Sequence, residues 1–318
     1  MTGGSRIAVF GTGAVGGYFG ARLLAAGENV AFIARGRQLE TLRRDGLSVV
    51  SPRGDVHLRE LVVTDHPEDI GPVDFVLFCV KLYDAEEAAA QLVPLLRPET
   101  AVITTQNGVD VRDLIARRVG ADRVVGGAVY IMASLETPGR IRHTAADTFV
   151  FGEREGARSA RLLAFEAAGT RAGFQARLST SIDVDLWIKF VRLATWAGTT
   201  TVARSTVGVI RDDPGLSAMM RAALDEAIAV GRARGVPLPP ALAAETESLW
   251  SSFPYEAKSS MLEDLERGRR LELPWLSGAV VRMGREAGVP TPVHQFIATA
   301  LGPFVGGSPQ GMIGAARL

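Results

Sequence analysis

The chain has 318 residues, 47% hydrophobic and 22% charged, which matches ordinary soluble globular proteins and gives about two domains, each able to bury a core. Disorder, a fibrous repeat and a small disulfide scaffold are excluded. Lys plus Arg number 35 and Asp plus Glu 35, so no global field draws in nucleic acid or an anionic membrane surface.

No segment approaches the roughly 18 apolar residues of a membrane span, and Met1-Thr2-Gly3-Gly4-Ser5-Arg6 runs into a strand rather than a signal peptide. The expected location is cytoplasmic. The single Cys79 lies in the apolar run Phe75-Val76-Leu77-Phe78-Cys79-Val80 and reads as a buried strand residue in a reducing compartment, not as a nucleophile. His57, His66, His143 and His294 lack ligand-like spacing, so no metal is expected.

In chain order, Arg6 to Phe10 is a β-branched apolar run, followed by a glycine-rich turn and a helical stretch from Ala14 to Ala26. Asn29 to Ala34, Phe75 to Val80 and Ala101 to Thr105 repeat the strand pattern. Continuous apolar strands alternating with helices predict a mostly parallel sheet covered on both faces. Leu47 to Val50 and Val56 to Val63, separated by Ser51-Pro52-Arg53-Gly54-Asp55, read as a hairpin extension, and Val124 to Glu153 is β-rich with a turn at Thr137-Pro138-Gly139. Beyond about Leu178 helical stretches take over: Val184 to Ala197, Leu216 to Arg234 and Leu276 to Ala287. The expected fold class is therefore α/β, with a Rossmann-type domain over 1–179 and an all-helical domain over 180–318 that supports a homodimer through exposed apolar faces. A cleft between domains is a usual place for a ligand. The glycine-rich stretch from Gly302 to Leu318 reads either as an ordered helix end or as a frayed tail.

Gly11-Thr12-Gly13-Ala14-Val15-Gly16 follows a strand and opens a helix, the context that the dinucleotide fingerprint requires. Gly11 permits the tight turn, Gly13 lets backbone approach a pyrophosphate, and Gly16 lets helix and strand pack closely. The residue near the end of the second strand that selects the nucleotide is Arg35, in Ala34-Arg35-Gly36-Arg37. A guanidinium suits a 2′-phosphate and predicts NADPH, the alternative being that Arg35 and Arg37 are solvated surface arginines.

The glycine loop continued by Gly17-Tyr18-Phe19-Gly20, together with Val80-Lys81, Gln106-Asn107-Gly108-Val109, Trp187-Ile188-Lys189-Phe190, Ser259-Ser260-Met261-Leu262-Glu263-Asp264 and Glu272, resembles the ketopantoate reductase (2-dehydropantoate 2-reductase) family over nearly the full length. The resemblance implies a Rossmann domain, a helical C-terminal domain of the 6-phosphogluconate dehydrogenase type, and NADPH-dependent reduction of ketopantoate to pantoate, a step toward pantothenate. It implies that Lys189 is the general acid and that Glu272 binds a substrate hydroxyl and positions the ammonium. It further implies that Ser260 contacts the substrate carboxylate, that Asn107 holds cofactor and substrate, and that Lys81 lies near both. Without the resemblance Lys189 reads as a surface lysine, Glu272 as a carboxylate paired with Arg269 and Arg270, and Ser260 as a cap hydroxyl.

The sequence departs from the family where two asparagines are expected four and eight residues after the lysine: here stand Leu193 and Ala197. The change makes that wall apolar unless Thr195, Thr199, Thr200 or Thr201 compensates. An alternative reading is therefore an NADPH-dependent reductase of a bulkier, more apolar 2-keto or β-keto acid. A nucleotide sensor without turnover is the reading from another class, opposed by the joint presence of Lys189 and Glu272.

Overall fold

The structure, a computed structural model, describes residues 4–308. These divide into two compact units, one of 4–106 and 110–186, the other of 107–109 and 187–308.

The first unit carries ten strands: β1 (Arg6–Phe10), β2 (Asn29–Ile33), β3 (Leu47–Val50), β4 (Val56–Leu58), β5 (Val62–Thr64), β6 (Phe75–Phe78), β7 (Ala101–Thr104), β8 (Val124–Thr137), β9 (Arg140–Gly152) and β10 (Gln175–Leu178). They form one sheet in the order β4-β3-β9-β8-β7-β6-β1-β2-β5, with β10 beside β9. From β8 to β5 all neighbours are parallel. This is the doubly wound order in which the direction of winding reverses between β1 and β6 while the strands stay parallel, and ligands of such sheets bind at that reversal, beyond the carboxyl ends of the strands. Both of those strands end in buried phenylalanines, Phe10 and Phe78, whose rings lie 5.7 Å apart.

The remaining strands extend the sheet. β8 and β9 form a long antiparallel hairpin through the predicted Thr137-Pro138-Gly139 turn, and β3 pairs antiparallel with β4. The run from Val56 to Val63 reads as one strand in the sequence but forms two. Exposed Arg59 and Glu60 interrupt it, and β5 crosses to the far edge of the sheet to run parallel to β2. Likewise β6 stops at Phe78, so Cys79 sits one residue past the strand.

Helices α1 (Ala14–Ala25), α2 (Gly36–Asp45), α3 (Ala85–Ala90), α4 (Val111–Val119) and α5 (Ala160–Arg171) complete this unit. Its core is strongly aromatic: Phe19 of α1 and Phe165 of α5 both contact Phe149 of β9, at centroid distances of 5.1 and 5.7 Å. Such ring pairs each add about 1 kcal/mol beyond their buried area.

The helix α6 (Ile182–Ala203) begins in the first unit and continues into the second, which further holds α7 (Val207–Asp212), α8 (Pro214–Ala233), α9 (Leu242–Ser251), α10 (Ser260–Glu266), α11 (Ser277–Ala287) and α12 (Pro292–Leu301). Local signals explain the boundaries. Asp213 caps α8 by accepting from the Leu216 N–H at 2.8 Å with Pro214 in the first turn, and Gly288, at φ 68°, ends α11. The core gathers Trp187, Phe190, Leu224, Trp250, Met283 and Ile297. Beside it, the half-buried Glu226 of α8 accepts the first-turn N–H groups of Val293 and His294 at 2.8 and 3.0 Å. The stretch that begins at Gly302 opens with a 3₁₀ turn, Gly302–Phe304, while residues 309–318 lie outside the described ones. Among the described residues no helix is long and apolar enough to cross a membrane.

Candidate active site

The glycine loop lies at the winding reversal. Gly11 adopts φ 101°, and a Cβ there would come within 2.9 Å of the backbone of Cys79 and Val80, so only glycine lets β1 turn against the end of β6. Gly16 presses on the same place, since a Cβ would strike the Gly11 carbonyl and lie 2.9 Å from Val9 Cγ1. Gly13 differs: a side chain there would meet nothing within 4 Å. The loop is pinned by the N–H groups of Gly11 and Thr12 and the Thr12 hydroxyl, all donating to the Ile33 carbonyl at 3.0–3.1 Å, and by Gln38 Nε2 donating to the Thr12 carbonyl at 2.8 Å. Gly13 caps α1 without a side chain, and the first turn holds no acidic residue. The start of α1, the positive end of its dipole and an unobstructed glycine together fit a dinucleotide pyrophosphate.

Arg35 follows β2 as the N-cap of α2 and is exposed, as is Arg37. Its guanidinium donates to Gln91 Oε1 at 3.0 Å and lies 3.7 Å from Glu87 Oε1, so it is turned toward the segment after β6. Lys81 is exposed at the head of the 3₁₀ turn Leu82–Asp84. Cys79 is half-buried, and burial pushes its thiol up to about 12 against the opposing hydrogen bond with Thr105. A thiol in that state is no nucleophile near neutral pH.

Three of the sequence-predicted residues come together in the second unit. Asn107 follows Gln106, whose amide donates to the carbonyls of Phe78 and Val80 at 2.8 and 3.1 Å. Gly108, at φ 98°, turns the chain, and Val109 packs on the helical core. Asn107 Nδ2 then donates to Glu272 Oε2 at 3.2 Å. Glu272 is buried, bracketed by Leu271 and Leu273, which are core residues with 1% and 2% exposure. Lys189 sits on α6 between the core residues Trp187 and Phe190, whose rings are 5.4 Å apart. Burial lowers its ammonium to about 8, and the nearby Glu272 carboxylate opposes that shift by favouring the charged form. An amine so placed gives up a proton near neutral pH far more readily than an ordinary lysine at about 10.4.

Ser260 is the first residue of α10 and is exposed, whereas the cap is Ser259, fully buried, accepting from the Leu262 N–H at 3.1 Å. The sequence reading did not single out Ser259, although Ser preceding an apolar helix is an ordinary cap signal. Thr200 bonds Ser259 hydroxyl to hydroxyl at 2.7 Å and also donates to the Trp196 carbonyl. Ala197 is packed in the helical core and Leu193 is half-buried against it. Thr195, Thr199, Thr200 and Thr201 are all fully buried, so none presents a hydroxyl outward in place of an amide. Among the described residues no group of three or more His, Cys, Asp or Glu is placed to hold a metal ion.

A doubly wound sheet with this glycine loop, and a helical unit bearing a depressed lysine beside a buried carboxylate, define a dinucleotide-dependent oxidoreductase. The profile described as "Ketopantoate reductase PanE/ApbA" matches residues 7–156, and "Ketopantoate reductase PanE/ApbA C terminal" matches residues 181–304. A 2-dehydropantoate 2-reductase of Mesorhizobium japonicum is 32% identical over 308 residues, covering 90% of this chain and 94% of its own. One of Archaeoglobus fulgidus is 31% identical over 290 residues, covering 91% and 94%. Among solved structures, the 2-dehydropantoate 2-reductase of Geobacter metallireducens superposes with a TM-score of 0.88 at 29% identity, over 93% of this chain and 99% of that one. The chain belongs to the ketopantoate reductase family.

Proposed function

We propose that the protein reduces ketopantoate to pantoate with NADPH, with Lys189 as the general acid. The observation that carries this reading is the pairing of Lys189, whose ammonium burial lowers to about 8, with the buried Glu272 carboxylate, which in turn accepts from Asn107 Nδ2. The first unit is the cofactor domain: the loop from Gly11 through Thr12, Gly13, Ala14 and Val15 to Gly16 holds the pyrophosphate, Arg35 takes the 2′-phosphate, and Lys81 and Asn107 supply further polar contacts. When bound, the reduced nicotinamide supplies a hydride to the C2 carbonyl carbon. Lys189 Nζ stabilises charge developing on the C2 oxygen and then transfers its proton to it, giving the alcohol and a neutral amine that solvent reprotonates. Glu272 accepts from the substrate hydroxyl and holds the ammonium in place. The Ser260 hydroxyl donates to the substrate carboxylate, and Asn107 fixes the Glu272 carboxylate.

The test is the initial rate of NADPH oxidation with ketopantoate, beside NADH and beside Arg35→Ala. Turnover that prefers NADPH and loses that preference in the variant supports the reading. NADPH binding without oxidation in the presence of any keto acid supports a sensor instead.

A further inference from the structure

We infer that Gln38 is a positioning residue for the dinucleotide: its carboxamide holds the Thr12 carbonyl of the glycine loop and ties that loop to the turn of the β8–β9 hairpin. The inference rests on the reading of the glycine loop as the nucleotide site and deepens it.

Gln38 lies in the first turn of α2, three residues past Arg35, and is half-buried. A glutamine at this helix position often turns back to the N–H of its own cap residue. This one reaches away from α2 with both ends of its amide. Nε2 donates to the Thr12 carbonyl at 2.8 Å, and Oε1 accepts from the Gly139 N–H at 3.0 Å. A carbonyl can only accept and an N–H only donate, so these two partners fix which end of the amide is which. Gly139 is a firm anchor, because its carbonyl accepts from the Ser48 N–H of β3 at 2.8 Å and a Cβ there would lie 2.9 Å from Thr41 Cγ2.

On the other side, Thr12 is 3% exposed and spends its N–H and hydroxyl on the Ile33 carbonyl. The Gly13 N–H donates to the Gly11 carbonyl at 2.9 Å, and the Gly17 N–H to the Gly13 carbonyl at 2.8 Å. The Thr12 carbonyl takes its donor from outside the loop, and Gln38 supplies it. Without that donor a nearly buried carbonyl is left unpaired and the Thr12–Gly13 peptide is released to rotate. No atom within 4 Å of a Cβ position at Gly13 stands in the way. A loop already ordered loses less entropy when its ligand binds, so freeing it weakens binding. The effect falls on the pyrophosphate cradle, which NADPH and NADH share, whereas Arg35 is assigned to the phosphate that distinguishes them.

The experiment measures Kd for NADPH and NADH, with kcat and KM for NADPH in ketopantoate reduction, in wild type and Gln38→Leu. Both Kd values are expected to rise by one common factor, about three- to tenfold for a lost hydrogen bond, with KM for NADPH rising alongside and kcat kept. Gln38→Glu supplies the rescue. Its carboxylate cannot donate to Thr12, but its protonated form matches glutamine, donating O–H to Thr12 and accepting from Gly139. NADH affinity of Gln38→Glu is therefore no better than that of Gln38→Leu near pH 8, and near pH 5 it rises past that variant to the wild-type level, as the carboxyl takes up its proton toward about 4.3. This recovery is read against wild type even where the leucine variant does not fold. Unchanged affinities in Gln38→Leu, a loss confined to NADPH, or a fall in kcat at constant KM overturns the inference and leaves the cofactor reading standing, as does a Gln38→Glu that shows no recovery in acid. Wild type that binds neither nucleotide removes the cofactor reading, and this inference with it.

Discussion

Asn107 donates a hydrogen bond from Nδ2 to Glu272 Oε2 at 3.2 Å, joining positions 165 residues apart in the chain. The bond fixes the carboxylate whose charge holds the Lys189 proton in place against the effect of burial.

Glu272→Gln removes that charge while keeping shape. Burial then acts unopposed, so the lysine loses its proton at lower pH and less of it is charged near neutrality. The alkaline limb of kcat/KM for reduction moves below the wild-type position near 8, and the rate at neutral pH falls about tenfold to a hundredfold. A pH–rate profile that does not move in this variant contradicts the coupling.

The glycine loop separates packing from ligand contact. Gly16→Ala forces a methyl group into the Gly11 carbonyl and Val9, so it lowers Tm and costs a few kcal/mol, on the order of an overpacked core site. Gly13→Ala meets nothing in the protein, so Tm is retained and only NADPH affinity falls. Thermal melts with and without NADPH distinguish the two, and equal loss of Tm in both contradicts the assignment.

Much of this was legible in the sequence because it is local. The glycine fingerprint, its flanking strand and helix, and the change to helices past Leu178 all depend on neighbours in the chain. The rest depends on long-range placement. Arg59 and Glu60 look like polar positions within one strand, and only the pairing of β5 with β2 shows that the chain leaves for the opposite edge. Asn107 and Glu272 carry no mark of their contact, and adjacent Ser259 and Ser260 take different roles because one is sealed by Thr200 and the other faces solvent.

His294 makes acid stability testable. It is fully buried, donating from Nε2 to the Ala223 carbonyl at 2.9 Å, and burial lowers it to about 4, against 6.5 in the unfolded chain. Between those values the unfolded chain binds a proton that the folded protein does not, so stability falls as pH drops through this window, by about 3 kcal/mol in full. Glu226, whose carboxyl is raised by burial, acts in the opposite sense. The difference between wild type and His294→Leu isolates the imidazole: urea midpoints across the window fall more steeply in the wild type. Parallel curves contradict the assignment.

Arg35 governs the choice of nucleotide in this account. Arg35→Ala weakens NADPH binding by about tenfold or more, the loss of a charged phosphate contact, and leaves NADH binding nearly unchanged. Glu87→Gln, which removes the carboxylate 3.7 Å from the guanidinium, strengthens NADPH binding. Titrations of both nucleotides by fluorescence check both statements, and an equal effect on NADH contradicts them.

The most direct test of the central claim is the rate of NADPH-dependent keto-acid reduction by wild type and Lys189→Ala, from about pH 6 to about pH 10, with cofactor binding measured in parallel. The account predicts a wild-type rate that declines above about 8, and a variant that binds NADPH normally yet is slower by about a hundredfold or more, without that decline. A variant that keeps the wild-type rate and pH profile contradicts the assignment of Lys189 as the proton donor.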